Sequence, residues 1–259
     1  MAGRDTTIWL FGTVHVLPAN QRWLEGRVAA AFDASDEVAI ETIAPPPAEA
    51  AAIVRRLSVD PAGRTLPAIV GPALTARLRG ALTAAHRPPE MLDAYEPWYA
   101  ASLLTFVALD GMGIAPGSGV EPALTARAAA QGKPVIGLEG FEQQLRILDG
   151  LPEADQRAML ADTLDELADA EGEIKPMMAA WARGDAAHLA RLMNDGLKDL
   201  PHVRRVLLTE RNVRFAGWVA ERLKRPGTAF LAVGAGHLGG ADSVQAFLGK
   251  RGITVQRVQ

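Results

Sequence analysis

The chain has 259 residues, with 27 Lys and Arg against 30 Asp and Glu, a net charge of −3 and no cysteine. That length supports a full hydrophobic core without staples. The missing cysteines exclude disulfides, thiolate metal sites and cysteine nucleophiles. The interleaved, slightly negative charge gives no footing for a nucleic-acid groove.

In chain order, Thr7 to Phe11 is a β-branched and aromatic run stopped by Gly12, and it predicts a buried strand. Leu24, Val28, Ala31 and Phe32 recur at helical spacing. EVAIET predicts a second strand, closed by the prolines at 45 to 47. EPWYAASLLTFVALDG predicts a buried helix with Pro97 in its first turn. A helix from about Glu121 to Gln131 leads into a third strand at Pro134 to Glu139. Amphipathic helices follow from Glu142 to about Arg225. One is marked by Leu160, Leu164 and Leu167, and another by Leu189, Leu192 and Met193. TAFLAV predicts a further strand, broken at Gly234. Val244, Phe247 and Leu248 fall at helical spacing, Gly249 to Gly252 make a turn, and ITVQRV predicts a closing strand.

Gly12-Thr13-Val14-His15 and Gly234-Ala235-Gly236-His237 sit at the same point of two strand–GxxH–helix–strand units that bracket the chain. The predicted fold is therefore α/β. Its central sheet is largely parallel or mixed, with a large helical insertion. A single domain covers 1–259, with its core at about 1–45, 120–140 and 226–259. Mostly helical insertions occupy about 48–118 and 141–225. No apolar run approaches the ~20 residues of a membrane helix. The chain enters strand-like sequence almost at once, so it reads as cytosolic unless an export signal has been removed.

FLAVGAGHLGG also spells G-x-G-x-x-G after a strand, as a dinucleotide site does. Such a site needs an acid about 20 residues on and a second βαβ half. Here ITVQRVQ carries no carboxylate and no further half follows, so the match is incidental.

Ligands of parallel α/β sheets gather beyond the carboxyl ends of the strands. His15, His237, Glu41 and Glu139 all fall at such ends, and imidazoles with carboxylates suit zinc, manganese, iron or cobalt. Gly12 and Gly234 are expected to turn the backbone and present the histidines. His86, His188 and His202 lie in loop or helical contexts with no such pattern. In VLLTERNVRFAGWVAERL, Arg211 and Asn212 share a face with Leu208, Phe215 and Val219. A guanidinium aimed at a core needs carboxylate partners. Arg211 then either orients a metal-bound carboxylate, stabilises an oxyanion, or forms a structural pair with a glutamate.

These segments, in this order, resemble the TraB, PrgY, GumN and TIKI group, related more distantly to erythromycin esterases and ChaN-like haem-binding proteins. LFGTVHVLP resembles its opening motif, VAIET its following strand, EPWYA its Pro-Trp helix and GVEPAL its Gly-Val-Asp segment. LEGFEQQL, AWARGD (Ala180 to Asp185), TERN and VGAGHLGG complete the series. The chain departs from the family at Glu121, where aspartate is usual, and at its abrupt N-terminus. The resemblance implies a metal-dependent hydrolase, most nearly a TIKI-like metallopeptidase acting on peptide or protein substrates with manganese or cobalt, and zinc as a third candidate. Carried over by motif, His15, His237 and Glu41 would hold the metal. Arg211 would be the arginine of the ERN helix, and Glu41 or Glu139 would serve as general base. The alternatives are an ester or lactone hydrolase, and a peptide- or haem-binding protein without turnover.

Overall fold

The computed structural model describes residues 5–15, 17, 21–114 and 117–258. Val16 and Pro18 of the opening motif, and the residues before Asp5, lie outside that set. Strands β1 (Thr6–Thr13), β2 (Glu37–Thr42), β3 (Val135–Glu139) and β4 (Gly227–Gly234) form one parallel sheet in the order β1-β4-β2-β3. Helices α1 (Gly26–Asp33), α2 (Pro47–Leu57), α3 (Leu66–Ala84), α4 (Pro97–Gly111) and α5 (Val120–Ala130) occupy the chain between β1 and β3. Between β3 and β4 run α6 (Phe141–Asp149), α7 (Glu153–Glu166), α8 (Ala170–Ala182), α9 (Ala186–Asp195), α10 (Pro201–Arg204) and α11 (Glu210–Arg222). The last helix, α12 (Val244–Gly249), follows β4.

The sheet is covered on both faces because its strands are apolar on both. Val38, Ile40, Phe230 and Ala232 pack with Phe32 of α1 and Val120, Leu124 and Ala128 of α5. The alternate residues Ala39, Leu231 and Val233 face Phe215, Ala216 and Val219 of α11 and Val244 and Leu248 of α12. Period-two alternation within the strands sorts these side chains into two cores, as buried parallel strands require. A third core lies between helices, with Leu66, Leu78 and Leu82 of α3, Ala100, Ala101 and Leu104 of α4, Leu160 and Leu164 of α7, and Leu92 of the turn before α4. The two expected insertions thus pack on each other.

Two expectations need correction. Helix α11 falls within the expected insertion 141–225 yet forms a layer of the sheet, because Phe215, Ala216 and Val219 find their apolar surface there. ITVQRV forms no strand. Of that segment Ile253 packs against the core while Thr254 to Val258 are exposed, so no buried face rewards pairing. Its backbone is held instead by the Arg27 guanidinium on the Val258 carbonyl. Pro97 takes the first helical position of α4 as predicted, although Phe106 on the far side of that helix is exposed. Among the described residues no helix is long and apolar enough to cross a membrane.

Candidate functional site

Strands β1 and β4 are in register from Thr6↔Gly227 to Thr13↔Gly234, so their carboxyl ends lie side by side. His15 follows the first end, and His237 follows the second on a 3-10 turn, Ala235–Leu238. Glu41 lies near the end of β2 and Glu139 at the end of β3, where Thr42 pairs with Glu139. Parallel topology therefore brings three strand ends to one sheet edge with His237, Glu41 and Glu139 in direct contact with a single residue of α11.

That residue is Arg211. Its Nε donates to Glu139 Oε2 at 2.9 Å, and its Nη2 contacts Glu41 Oε2 at 2.5 Å and Glu139 Oε2 at 2.8 Å. Its Nη1 donates to the Leu207 carbonyl at 3.3 Å and to His237 Nε2 at 3.1 Å. Four hydrogen bonds and one ion-pair approach thus engage all three guanidinium nitrogens. Leu207 belongs to a π-helical turn, Arg205–Thr209, entering α11. Such turns are rare and frequently lie at functional sites.

Glu41 is engaged through both oxygens. Oε1 accepts from the Gly234 N–H at 2.5 Å and lies 3.6 Å from His237 Nε2, while Gln144 Nε2 of α6 donates to Oε2 at 3.2 Å. Burial pushes its pKa up, but Arg211, His237 and the Gly234 N–H pull it down further, to about 2. Glu139 is buried and accepts from Arg211 and, through Oε1, from Arg214 at 2.6 Å. A carboxylate whose lone pairs serve two guanidiniums orients them and is poorly placed to take a proton from water. His237 is buried, with its Nδ1 2.6 Å from Asn212 Oδ1 and its ring edge-on to Phe215 at 5.3 Å. Burial lowers its pKa to about 4, against the opposing field of Glu41 and with that of Arg211. His237 is therefore a neutral imidazole at pH 7.

His15 differs. Its side chain is 72% exposed, with Nδ1 3.1 Å from Glu121 Oε1. The hydrogen bond to Glu121 raises its pKa, and the charge of Glu41 acts in the same direction. Thr13 Oγ1 also donates to Glu121 Oε1, at 2.6 Å. Glu121 reaches this spot because Gly119, preceding α5, lies against the backbone of His15. A Cβ on Gly119 would sit 2.3 Å from the His15 carbonyl oxygen. The Val120 N–H then bonds to the Val14 carbonyl, docking the helix start on the strand end.

Gly12 and Gly234 do not turn the chain as expected. Gly12 lies inside β1, and Gly234 has φ −47°. Both permit close approach instead, with a Cβ on Gly12 3.1 Å from Ala235 Cβ and one on Gly234 3.1 Å from Glu41 Oε1. The remaining histidines lie elsewhere. His188 contacts Arg191, His202 contacts Asp155, and His86 is exposed.

Among the described residues no three His, Asp or Glu side chains are grouped to hold a metal ion. Glu41 Oε1 and His237 Nε2, 3.6 Å apart, match the roughly 3.4 Å expected between two donors on one tetrahedral ion. The pair thus has the spacing of two donors to one ion, with Nε2 accepting from Arg211 and Oε1 from the Gly234 N–H in this structure. Sequence reasoning passed over Gln144, Arg214 and Thr13, and marked Glu121 only as a departure from the family's usual aspartate, not as a direct ligand. Glu121 carries a visible signal, an acid in the first turn of a helix that starts at a glycine. The others have none.

Two cavities, of about 490 and 290 Å³, lie among the helices, lined respectively by residues such as Val70 and Arg157 and by residues such as Glu96 and Gln156. Neither is lined by the residues described above.

The chain is 29% identical over 164 residues to the uncharacterized protein YbaP of Escherichia coli (strain K12), and equally to that of Shigella flexneri. The match covers 62% of this chain and 59% of each relative, so the chain spans about three fifths of their length. No solved structure matches it. The model of the TraB/PrgY/gumN family matches residues 1–257, nearly the whole chain. The chain belongs to the TraB/PrgY/gumN family.

Proposed function

We propose that this chain is a metal-dependent hydrolase that cleaves amide bonds in a peptide or protein. One observation carries this reading. Both GxxH histidines have Nδ1 engaged by an acceptor oxygen, Glu121 Oε1 for His15 and Asn212 Oδ1 for His237. Histidines that bind metals almost always donate the other ring N–H to a carboxylate or carbonyl, which orients the ring and frees the remaining lone pair. The same support at both halves of a duplicated motif fits a pair of ligands.

On this reading His237 Nε2, Glu41 Oε1 and His15 Nε2 hold the ion, with manganese or cobalt favoured and zinc the third candidate. A bound divalent ion lowers the pKa of water and polarises the scissile carbonyl. Arg211 keeps Glu41 ionised and aimed, and Glu139 keeps Arg211 in place. Glu121 holds His15 at the solvent-open side of the edge, where water and substrate enter. Ester and lactone substrates demand the same chemistry, so they form the nearest alternative within this reading.

The test is elemental analysis on protein purified without an affinity metal, before and after adding manganese, cobalt or zinc, followed by chelator-sensitive cleavage of a peptide library. Near-stoichiometric metal that is lost in His237→Ala, with cleavage, supports the proposal. No metal under any condition overturns it.

A second reading has its own observation. His237 Nε2 already accepts a hydrogen bond from Arg211. If that bond is permanent, the histidines, Glu41, Glu139 and Arg211 form a polar network in a protein that holds a peptide or haem without turnover. A visible absorption band from bound haem would favour it.

A further inference from the structure

We propose that Asn212 is a positioning residue that sets the tautomer of His237, and that the clamped Asp242 loop in turn sets the orientation of Asn212. The argument starts from hydrogen-bond capacity. The Asn212 side chain is buried, with one end 2.7 Å from the Asp242 carbonyl oxygen and the other 2.6 Å from His237 Nδ1. A carbonyl only accepts, so the end facing Asp242 is the NH₂ group and the end facing His237 is Oδ1. Oδ1 also only accepts, so His237 Nδ1 carries the hydrogen.

The opposite side of the ring agrees independently. Arg211 Nη1, 3.1 Å from Nε2, can only donate, so Nε2 must present a lone pair. Two constraints from two residues select one tautomer, Nδ1–H. The Asp242 carbonyl is itself held, because the Asp242 carboxylate accepts from Arg204 Nη2 of α10 at 2.6 Å and from Thr209 Oγ1 at 2.8 Å. Arg204 precedes, and Thr209 ends, the π-helical turn whose Leu207 carbonyl steadies Arg211. One turn of chain therefore anchors both partners of the His237 ring.

The consequence is an unprotonated Nε2, accepting from Arg211 and 3.6 Å from Glu41 Oε1, the nitrogen that would ligate an ion. Its use in catalysis rests on the proposal above, but the tautomer does not, so the two can fail separately.

The experiment is a long-range ¹⁵N–¹H correlation on the full chain labelled at histidine, metal-free at pH 7.5, with His237 assigned by the loss of its signals in H237Q. The expected spectrum shows a protonated, pyrrole-like Nδ1 and a pyridine-like Nε2. In N212L the Nδ1 acceptor is gone, and the ring is expected to populate Nε2–H, with both nitrogens shifting toward intermediate values. Metal affinity in N212L is expected to fall 10–100-fold. A wild-type His237 protonated at Nε2 overturns the inference, and this reading needs no folded N212L protein. An N212L spectrum with an unchanged Nδ1–H ring overturns it too, since Arg211 alone would then suffice. A wild-type Nδ1–H tautomer in a protein that takes up no metal upholds the tautomer and removes the metal reading.

Discussion

Arg211 of α11 and Glu41 of β2 meet across 170 positions of sequence, with Nη2 and Oε2 2.5 Å apart and both side chains nearly closed to solvent. The pair sits where the sheet's strand ends converge, and Glu139 completes it from the other side. Removing one member of a buried ion network leaves its partners charged and unpaired. Arg211→Met is therefore expected to destabilise the fold by about 3–5 kcal/mol. Urea unfolding at pH 7 measures this, and a cost near zero would mean that water replaces the guanidinium at the sheet edge.

Acid should weaken the protein in two stages. His237 titrates near 6.5 when unfolded but at about 4 when folded, so the folded state binds fewer protons between those values. Its contribution is present above pH 6.5 and is lost as pH falls toward 4. Glu41 is depressed from 4.5 to about 2, so its contribution is present above 4.5 and is lost as pH falls toward 2. The urea midpoint should drop from pH 7 to 5 and again from 5 to 3, with H237Q flattening the first fall and E41Q the second. A wild-type midpoint unchanged from pH 7 to 4.5 would contradict this.

The His15–Glu121 contact sets a different pH dependence. The hydrogen bond to Glu121 raises the His15 pKa, so Glu121→Gln should lower it. An NMR titration of His15 reads this directly. On the proposed metal reading, the pH at which metal uptake sets in should move down with it, since a ligating His15 must be neutral. An unmoved titration would mean that the contact contributes little in water, as befits so exposed a side chain.

Gly119→Ala places a methyl group 2.3 Å from the His15 carbonyl oxygen. The start of α5 must then withdraw from the end of β1, carrying Glu121 with it. The expected cost is about 1–3 kcal/mol in stability. The His15 titration should shift in the direction given for Glu121→Gln. A Gly119→Ala protein with wild-type stability and an unshifted His15 would show that the close approach is dispensable.

Much of the fold is legible along the chain. Strand-like runs at TIWLF, EVAIET, PVIGLE and TAFLAV announce β1 to β4, and the repeated GxxH announces that β1 and β4 end alike. The alternation in ITVQRV is equally strand-like, yet it remains unpaired because alternation records only what a strand would bury, not whether a surface exists to bury it. Helix α11 was readable as amphipathic, but which core its apolar face meets depends on contacts far away in sequence.

The same division runs through the site. His15, His237, Glu41, Glu139 and Arg211 are marked locally, because strand ends, glycines and a misplaced charge on an apolar helix face leave a trace over a few residues. Sequence alone therefore determined the α/β class, with a sheet largely parallel or mixed, and the residue types gathered at one sheet edge, while the structure made the sheet wholly parallel. Only the tertiary structure decided their roles. Arg211 spends its donors on Glu41, Glu139, His237 and a π-turn carbonyl, Glu139 serves two arginines, and Glu121 and Asn212 hold the two histidines. The physical reason is that a hydrogen bond of 3 Å between residues 25 to 170 positions apart is fixed by how strands and helices stack, and stacking leaves no periodic mark in the chain.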